Sequence, residues 1–299
     1  MKKLLLAVLA ILLLSVESFA GAWTLPKKRL WLKSAIFYQS TDRRFCTQQD
    51  ALSPAFREAG CTSAGHRAPF DPFIGGASEA VAIFAEAAYG ATGWLEVGVQ
   101  IPFYSLQFTN LANPRRPRSN SIGDVRFFTK LRLLQQPFVA SLTVGAKSPA
   151  GKFTVDAEAV NVSEGQWDFD VLGEVSRSLW PLRGYVSLGV GYRMRTDNDA
   201  FEHTMGDELM ALAEASYELS SHVMIKSTLD WLRGQAPRLK VNNAPLLERR
   251  ELLTITPSMI YALREGLNLE AAVRFALSGQ DFPDGHQLMA AVSYGFSVP

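Results

Sequence analysis

The chain has 299 residues, 47% of them hydrophobic and 20% charged, and its 30 Lys and Arg nearly balance its 29 Asp and Glu. Because the net charge is close to zero, nothing in the composition would recruit nucleic acid, and no nucleic-acid partner is expected. Beyond the N-terminus, no segment approaches the roughly 18 apolar residues that a membrane-spanning helix needs.

The first segment, residues 1–20, has the layout of a secretory signal peptide. Two lysines precede an uninterrupted apolar run at 4–14, and small residues follow that suit cleavage after Ala20, with Ala22 as the second choice. An uncleaved anchor helix is the alternative, although the run is short for a membrane span. We therefore expect a signal peptide at 1–20 and an exported chain at 21–299.

The segment at 123–134, GDVRFFTKLRLL, shows the pattern that dominates the rest of the chain. Its charged residues fall on even positions, at Asp124, Arg126, Lys130 and Arg132, and its large apolar residues fall on odd ones. Because a strand sends successive side chains to opposite faces, this segment predicts a strand with one apolar and one charged face.

Similar alternation recurs in segments of about ten residues, the length of a tilted strand that crosses a bilayer. A soluble β-sandwich would also alternate, so the pattern alone does not decide. We expect strands at 28–38, 79–90, 94–104, 123–134, 138–147, 167–176, 185–195, 208–218, 222–231, 250–261, 267–277 and 287–296. The segment at 250–261 is the least regular, because Pro257 lies inside it.

The connections favour a membrane barrel over a sandwich. Short turns at 91–93, 135–137, 180–183, 220–222 and 264–266 alternate with long polar loops at 40–78, 107–122, 149–166, 196–206, 233–249 and 279–286. This asymmetry is typical of outer-membrane barrels. The sequence therefore predicts an all-β, antiparallel, up-and-down transmembrane β-barrel of about twelve strands in the outer membrane of a Gram-negative bacterium. Its apolar face would meet outer-membrane lipid, and both termini would lie on the periplasmic side.

The charged parity should face an enclosed, wet lumen. A basic strand at 123–134 and acidic strands at 167–176 and 208–218 allow two interpretations. One is a pore whose opposing walls create a transverse field; the other is a network of salt bridges that fills the lumen. The predicted lumen-lining residues are Lys33, Glu86, Glu96, Arg126, Lys130, Arg132, Asp168, Asp170, Glu174, Arg193, Glu214, Lys226, Asp230, Glu270 and Arg274.

Four segments carry a resemblance to a known family: IGDVRFFTKLRLL (122–134), SLTVGAKSPAGKF (141–153), WDFDVLGEVSRSL (167–179) and LEAAVRFALSGQDFPDGHQLMAAVSYGF (269–296). They resemble the outer-membrane family labelled "MetA-pathway of phenol degradation", over roughly 80–296. The resemblance implies a channel or transporter for small-molecule solutes, aromatic or otherwise apolar. It supplies no catalytic residue and no cofactor.

Cys46 and Cys61 both lie in the first long loop, 40–78. In an exported chain, an even pair this close predicts a disulfide. A metal site would need further ligands, and only His66 is near. The centre of this loop, 68–76, combines phenylalanine with proline, and we expect the loop to fold over or into the mouth of the barrel and set what enters. A mobile external cap is the alternative.

An enzyme is the rival class, because some outer-membrane barrels are hydrolases. A nucleophilic serine needs a histidine beside it, and the four histidines lack that arrangement in sequence. His203 lies among acidic residues in one external loop, which leaves an Asp–His dyad that activates water as an alternative. No phosphate-binding loop, dinucleotide fingerprint or zinc spacing occurs, so no cofactor is expected. A structural, non-transporting barrel is the third class.

The last strand ends in an aromatic stripe that includes Tyr294 and Phe296, followed by Ser297, Val298 and Pro299. Outer-membrane barrels typically end in an aromatic residue that the assembly machinery recognises. We expect Phe296, and not the terminal residue, to carry this signal. Because Pro299 cannot donate a ladder hydrogen bond, the paired strand should end at or before Val298.

Overall fold

The fold is taken from a computed structural model that describes residues 21–71, 74–112, 114–115, 118–151, 160–200, 202–246 and 249–299. The predicted signal peptide at 1–20 lies outside these residues. Among the described residues, no helix is both long and apolar enough to cross a membrane.

Twelve long antiparallel strands form a closed barrel. They are β1 (Arg29–Thr41), β4 (Ala77–Gly90), β5 (Leu95–Thr109), β7 (Val125–Leu134), β8 (Val139–Ser148), β9 (Asp168–Ser178), β10 (Gly184–Arg195), β12 (Glu208–Glu218), β13 (Val223–Gly234), β15 (Glu251–Arg264), β16 (Leu267–Gln280) and β18 (Gln287–Ser297). Each pairs with its neighbour in the chain, and β1 closes the barrel against β18 from Arg29–Ser297 to Gln39–Gln287. The prediction of a twelve-stranded up-and-down barrel is confirmed.

Short elements lie in the long connections. A three-stranded sheet joins β2 (Arg43–Phe45), β3 (Arg67–Pro69) and β17 (Pro283–Asp284), while β11 (His203–Thr204) pairs with β14 (Arg238–Leu239). Strand β6 (Ser119–Ile122) adds to β5. Two short helices, α1 (Gln48–Leu52) and α2 (Pro54–Glu58), lie in the first loop.

Alternation along each strand sorts side chains between lipid and lumen. On β7, the Phe127 side chain is 52% exposed, whereas its neighbour Arg126 is 6% exposed and Lys130 is 1% exposed. Exposed apolar residues continue around the outside of the barrel, as a lipid-facing surface requires. The charged parity therefore points inward, into a space screened from lipid.

The short turns on one rim are built for close strand pairing. The turn between β15 and β16 contains Gly266 at φ +76°, and a Cβ there would lie 2.2 Å from the Gly295 carbonyl oxygen. Only glycine tolerates that combination of backbone angle and space. In the turn after β4, the Thr92 hydroxyl accepts hydrogen bonds from the backbone N–H groups of Trp94 (3.2 Å) and Leu95 (3.0 Å).

The first long loop is an ordered cap on the opposite rim. The predicted disulfide Cys46–Cys61 is present, and both cysteines are fully buried, so neither can serve a metal. Helix α1 begins with a capping box, in which the Thr47 hydroxyl accepts from the Asp50 N–H and the Asp50 carboxylate accepts from the Thr47 N–H. The Asp50 carboxylate also pairs with Arg44 at 2.7 Å, which fixes the helix to β2.

Candidate functional site

The lumen of the barrel is the candidate functional site. All of the predicted lumen-lining positions lie on the inward parity of their strands, and several are almost wholly buried: Lys33, Glu86, Glu96, Arg126, Lys130, Asp168, Asp170, Glu174, Arg193, Glu214 and Arg274. Arg132, Lys226, Asp230 and Glu270 are intermediate in exposure. Burial of this many charges is tolerable only because they are paired.

The basic strand β7 and the acidic strand β9 are bridged directly across β8. Arg126 and Asp170 lie 2.7 Å apart, and Lys130 and Glu174 lie 3.0 Å apart. Between the first pair stands Gly145, where a Cβ would come within 2.6 Å of the Asp170 carboxylate. The glycine on β8 therefore leaves room for the ion pair to cross the strand.

For these two strands, this arrangement favours the second interpretation, a network of salt bridges, over opposing charged walls. β7 and β9 are separated by one strand only, so their charges neutralise each other locally. At this part of the lumen, the salt-bridge network describes the structure better than a transverse field does.

Residues 160–164, a described part of the loop between β8 and β9, are buried in the lumen and include the centre of a second ionic network, Glu164. The Glu164 side chain is 1% exposed and forms ion pairs with Arg195, with Lys147 at 3.2 Å and with Arg250 at 3.4 Å. Burial alone would raise the pKa of Glu164, but these three cations outweigh it and hold the pKa well below its usual range. Glu164 is therefore a fixed negative charge that ties the loop to the wall.

Neighbouring residues of the same loop are also buried. Asn161 and Ser163 are 7% and 1% exposed, and Asn198 donates from its side-chain amide to the Glu164 carbonyl oxygen at 2.7 Å. Residues 160–164 therefore lie inside the lumen, near the end that carries the long loops. The sequence placed it among the external polar loops, because a lone glutamate gives no periodic signal.

An apolar strip lies inside the lumen on the wall made by β16, β18, β1, β4 and β5. One contiguous buried cluster contains Ala35, Phe37, Phe70, Ala80, Ala82, Tyr104, Leu106, Phe108, Val160, Val162, Ala272 and Met289, with Phe84 and Ala291 packed against it. Edge-to-face pairs connect its rings, with centroids 5.2 Å apart for Phe37 and Phe84 and 5.2 Å apart for Phe70 and Phe108. The strip reaches from the first loop to the middle of the barrel.

At the other end of the lumen, residues 21–26 lie inside the barrel. The Ala22 N–H donates to the Ser176 hydroxyl at 2.7 Å, and the Leu25 N–H donates to the Glu96 carboxylate at 2.7 Å. The Trp23 ring packs edge-to-face on Tyr185 at 5.2 Å. This N-terminal segment, 21–26, crosses the lumen near the rim that carries the short turns.

Among the cavities in the described part of the lumen, two lie on either side of the N-terminal segment. The central cavity, of about 90 Å³, is lined by Gly21 and by charged residues of β9 to β16. The second cavity, of about 310 Å³, is lined by Trp23, Pro26 and Lys33 and faces the short-turn rim. Ligand pockets usually measure roughly 300–1,000 Å³, so the lumen in this conformation is constricted at its centre.

The external Asp–His hypothesis involves carboxylates that have other partners in the structure. Asp207 accepts hydrogen bonds from the Tyr192 hydroxyl (2.7 Å) and from the Arg195 backbone N–H (2.9 Å). Asp199 lies 3.6 Å from the Lys240 ammonium. Two of the carboxylates near His203 in the sequence, Asp199 and Asp207, therefore bind other groups.

Comparison with solved structures places this barrel among outer-membrane proteins. Neither a protein-family profile nor a curated protein sequence matches the chain significantly. The "COG4313 outer membrane channel from Pseudomonas putida F1" superposes with a TM-score of 0.72 at 15% identity, over 93% of this chain and 99% of that one. The likeness shows a shared fold. The chain therefore has the fold of an outer-membrane β-barrel.

Two further barrels are similar at a lower level. The "P. putida toluene transporter TodX" superposes with a TM-score of 0.43 at 10% identity, over 92% of this chain and 91% of that one. The "translocator domain of autotransporter NalP from Neisseria meningitidis" superposes with a TM-score of 0.47 at 11% identity, over 91% of this chain and 90% of that one. At these TM-scores, the two similarities carry no information about the lumen.

Proposed function

We propose that this protein is an outer-membrane channel for small apolar or aromatic solutes, and that it belongs with the family labelled "MetA-pathway of phenol degradation". The observation that carries the proposal is the apolar strip inside an otherwise charged lumen. A channel that conducts only ions or sugars does not require a row of aromatic rings that extends inward from its mouth. Burying apolar solute surface against such rings gains about 25 cal/mol per Å².

The charged wall and the apolar strip would act together. The predicted lumen-lining residues hold the barrel rigid through ion pairs, and the strip offers a dewetted track beside them. Phe70 brings the first loop to the outer end of that track, where its ring lies fully buried against Phe108. In this proposal, the loop selects what enters, with the Cys46–Cys61 disulfide keeping it in place.

Export and assembly complete the proposal. Residues 1–20 would be removed on export, so that the mature chain, 21–299, begins at the N-terminal segment in the lumen. The outer-membrane assembly machinery would bind the last strand, β18, through Tyr294 and Phe296, whose rings stack with centroids 5.3 Å apart.

Uptake of radiolabelled toluene by intact cells that express the protein tests the proposal. Phe84→Asn should lower uptake several-fold, because it places an amide in the apolar strip. Phe128→Asn is the control, since Phe128 is an inward ring on β7, 5% exposed, that lies outside the strip cluster. Equal uptake by the wild type and by cells with an empty vector would reject the channel.

The constricted centre favours one competing function, a structural barrel that transports nothing. A central cavity of about 90 Å³ has no room for an aromatic ring without movement. Single-channel recording in a planar bilayer separates the two, because a structural barrel would stay silent while a channel closed by movable segments would show conducting events.

A further inference from the structure

The second luminal cavity, which we call the rim cavity, is lined by aromatic rings from three separate elements. Trp23 belongs to the N-terminal segment, Trp31 to β1 and Tyr185 to β10. The rings of Trp23 and Tyr185 lie edge-to-face with centroids 5.2 Å apart, and the Tyr185 hydroxyl donates to the Glu214 carboxylate at 2.6 Å, which fixes its ring. Residues far apart in the chain thus form one aromatic surface.

An ionic group lies at the inner end of the rim cavity. Lys226 and Glu270 line both this cavity and the central cavity, so they stand between the two. One oxygen of Glu270 accepts from the Lys33 ammonium at 2.7 Å, and the other oxygen lies 3.7 Å from the Lys226 ammonium. The rim cavity therefore combines an aromatic surface with a charged inner end.

Lys226 is the loosely held member of this ionic group. Its ammonium lies 3.5 Å from the Glu214 carboxylate and 3.7 Å from Glu270, beyond the roughly 2.7–2.9 Å of a charge-assisted hydrogen bond. Glu214, the nearer of the two, already accepts from the hydroxyls of Tyr185 at 2.6 Å and of Thr228 at 2.9 Å. The Lys226 side chain is only 9% exposed. A buried ammonium has three N–H donors to satisfy, so this one can bind a further oxygen.

The charges that line the rim cavity favour a neutral oxygen. A carboxylate ligand would approach Glu96 and Glu270 as well as Lys226, and an ammonium ligand would approach Lys33 and Lys226. Like charges at short range repel one another. A carbonyl oxygen carries no net charge and accepts hydrogen bonds, which is the chemistry that the Lys226 ammonium requires.

The rim cavity has the size of a site for one substituted ring. Its volume is about 310 Å³, and an apolar cavity of about 150 Å³ is enough to bind benzene. Asn268 and Ser293, which lie opposite each other on β16 and β18, add neutral polar groups to its wall. A ring can therefore pack on the aromatic surface while its substituent points toward Lys226.

We propose that the rim cavity binds single-ring aromatic carbonyl compounds, with the ring on the aromatic surface and the carbonyl oxygen accepting from the Lys226 ammonium. The inference rests on the proposed function, because it assigns a solute class and a binding site to the same lumen. Since the cavity faces the short-turn rim, a solute occupies it last before release on that side of the membrane.

Calorimetric titration of the purified protein in detergent tests the site, with acetophenone and ethylbenzene as probes and the heat of each probe in empty micelles subtracted. The two probes share a ring and are close in size, but only acetophenone carries an acceptor oxygen. The wild type should bind acetophenone about tenfold more tightly, which is the effect of one hydrogen bond to a charged group. Equal affinities would overturn the proposal, and so would tighter binding of benzoate at neutral pH.

Lys226→Met should remove the preference for acetophenone and leave the affinity for ethylbenzene unchanged. Arg274→Met is the matched control, because Arg274 is an inward cation that, among the described residues, lines the central cavity and not the rim cavity. A preference that survives in Lys226→Met, or that disappears in Arg274→Met, would place the carbonyl oxygen elsewhere and contradict the assignment.

A second variant covers the case in which Lys226→Met gives no heat-modifiable band. Trp31→Leu removes one ring from the aromatic surface and should weaken the binding of both probes several-fold. Unchanged affinities in folded Trp31→Leu would refute the site.

The outcomes also separate the site from the channel. If intact cells take up toluene and the purified protein binds both probes equally, the site is wrong and the channel stands. If acetophenone binds as expected and no toluene is taken up, the channel is wrong and the rim cavity stands as a binding site.

Discussion

Glu164 and Arg195 form an ion pair inside the barrel, with side chains that are 1% and 2% exposed. The pair connects the loop between β8 and β9 to the inward face of β10. Lys147 and Arg250 approach the same carboxylate from β8 and from the segment before β15. One loop residue thus holds together three parts of the barrel wall.

Glu164→Gln should widen the pore and make it more selective for anions. The substitution keeps the size of the side chain but removes one of the negative charges that neutralise Arg195, Lys147 and Arg250. Conductance and the reversal potential in a salt gradient measure the two effects. Asp199→Asn is the control, because Asp199 is a fully exposed loop carboxylate whose ion pair, with Lys240, lies outside the lumen. Unchanged selectivity would mean that Glu164 does not face the conduction path.

The same ion pairs predict how the loop responds to pH. A carboxyl whose folded-state pKa is depressed contributes stability above its unfolded pKa, about 4.3 for glutamate, and loses it only as the pH falls through the folded value. Because the pKa of Glu164 is depressed, the loop should stay anchored between pH 7 and about pH 4. The difference in conductance between the wild type and Glu164→Gln should persist over that range. Its disappearance near pH 5 would show that Glu164 is protonated far earlier than this environment implies.

Much of the fold could be predicted from sequence, because the side chains of a membrane-spanning strand alternate between lipid and lumen with a period of two residues. Length and strict alternation located all twelve barrel strands, and the boundaries moved by a few residues only; β1, for example, continues to Thr41 because its ladder with β4 extends past Tyr38. The apolar strip was missed for a different reason. Charge served as the marker of the inward face, although counting by two from Lys33 or Glu86 places Phe37 and Phe84 on that face as well.

The N-terminal segment in the lumen was not predictable in the same way. The N-terminal segment is held by single hydrogen bonds, such as Leu25 N–H to Glu96, and these leave no repeating pattern in the sequence. Pro257 was recognised as an irregularity of its strand. Which residues surround Pro257 on the two faces of the barrel wall follows only from the three-dimensional packing.

Glu96→Ala should loosen the N-terminal segment and raise the frequency of conducting events. Glu96 accepts the Leu25 N–H at 2.7 Å, and its loss leaves the segment held by fewer contacts. Glu86→Ala is the matched control, because Glu86 is a similarly buried glutamate on the adjacent strand β4, where it accepts from the Gln100 amide at 3.3 Å. Single-channel recordings compare the two. Equal behaviour would argue that the segment does not restrict the pore.

Replacing both Cys46 and Cys61 with serine should destabilise the first loop without unfolding the barrel. The bond closes a loop of 15 residues, for which loss of the cross-link costs about 3 kcal/mol. We expect faster proteolysis of the loop in outer-membrane fractions, together with an unchanged heat-modifiable band. Deleting 47–60 should go further and admit bulkier solutes, because it removes both α1 and α2 from the mouth. Unchanged permeability after that deletion would leave the loop as a cap with no role in selection.

Phe296→Asp should block assembly, whereas removal of Ser297, Val298 and Pro299 should be tolerated. Phe296 pairs with Leu30 at the closing seam of the barrel, and the ladder ends one residue later at Ser297. The last three residues add one ladder pair and the hydrogen bond from the Val298 N–H to the Lys28 carbonyl oxygen at 2.7 Å. A charge at position 296 would cost about 1 kcal/mol or less near the interface, which is too little to unfold a barrel. A complete loss of the heat-modifiable folded band in Phe296→Asp would therefore point to recognition during assembly. If the truncation abolishes insertion and Phe296→Asp does not, the assembly signal lies in the terminal residues and not in the aromatic stripe.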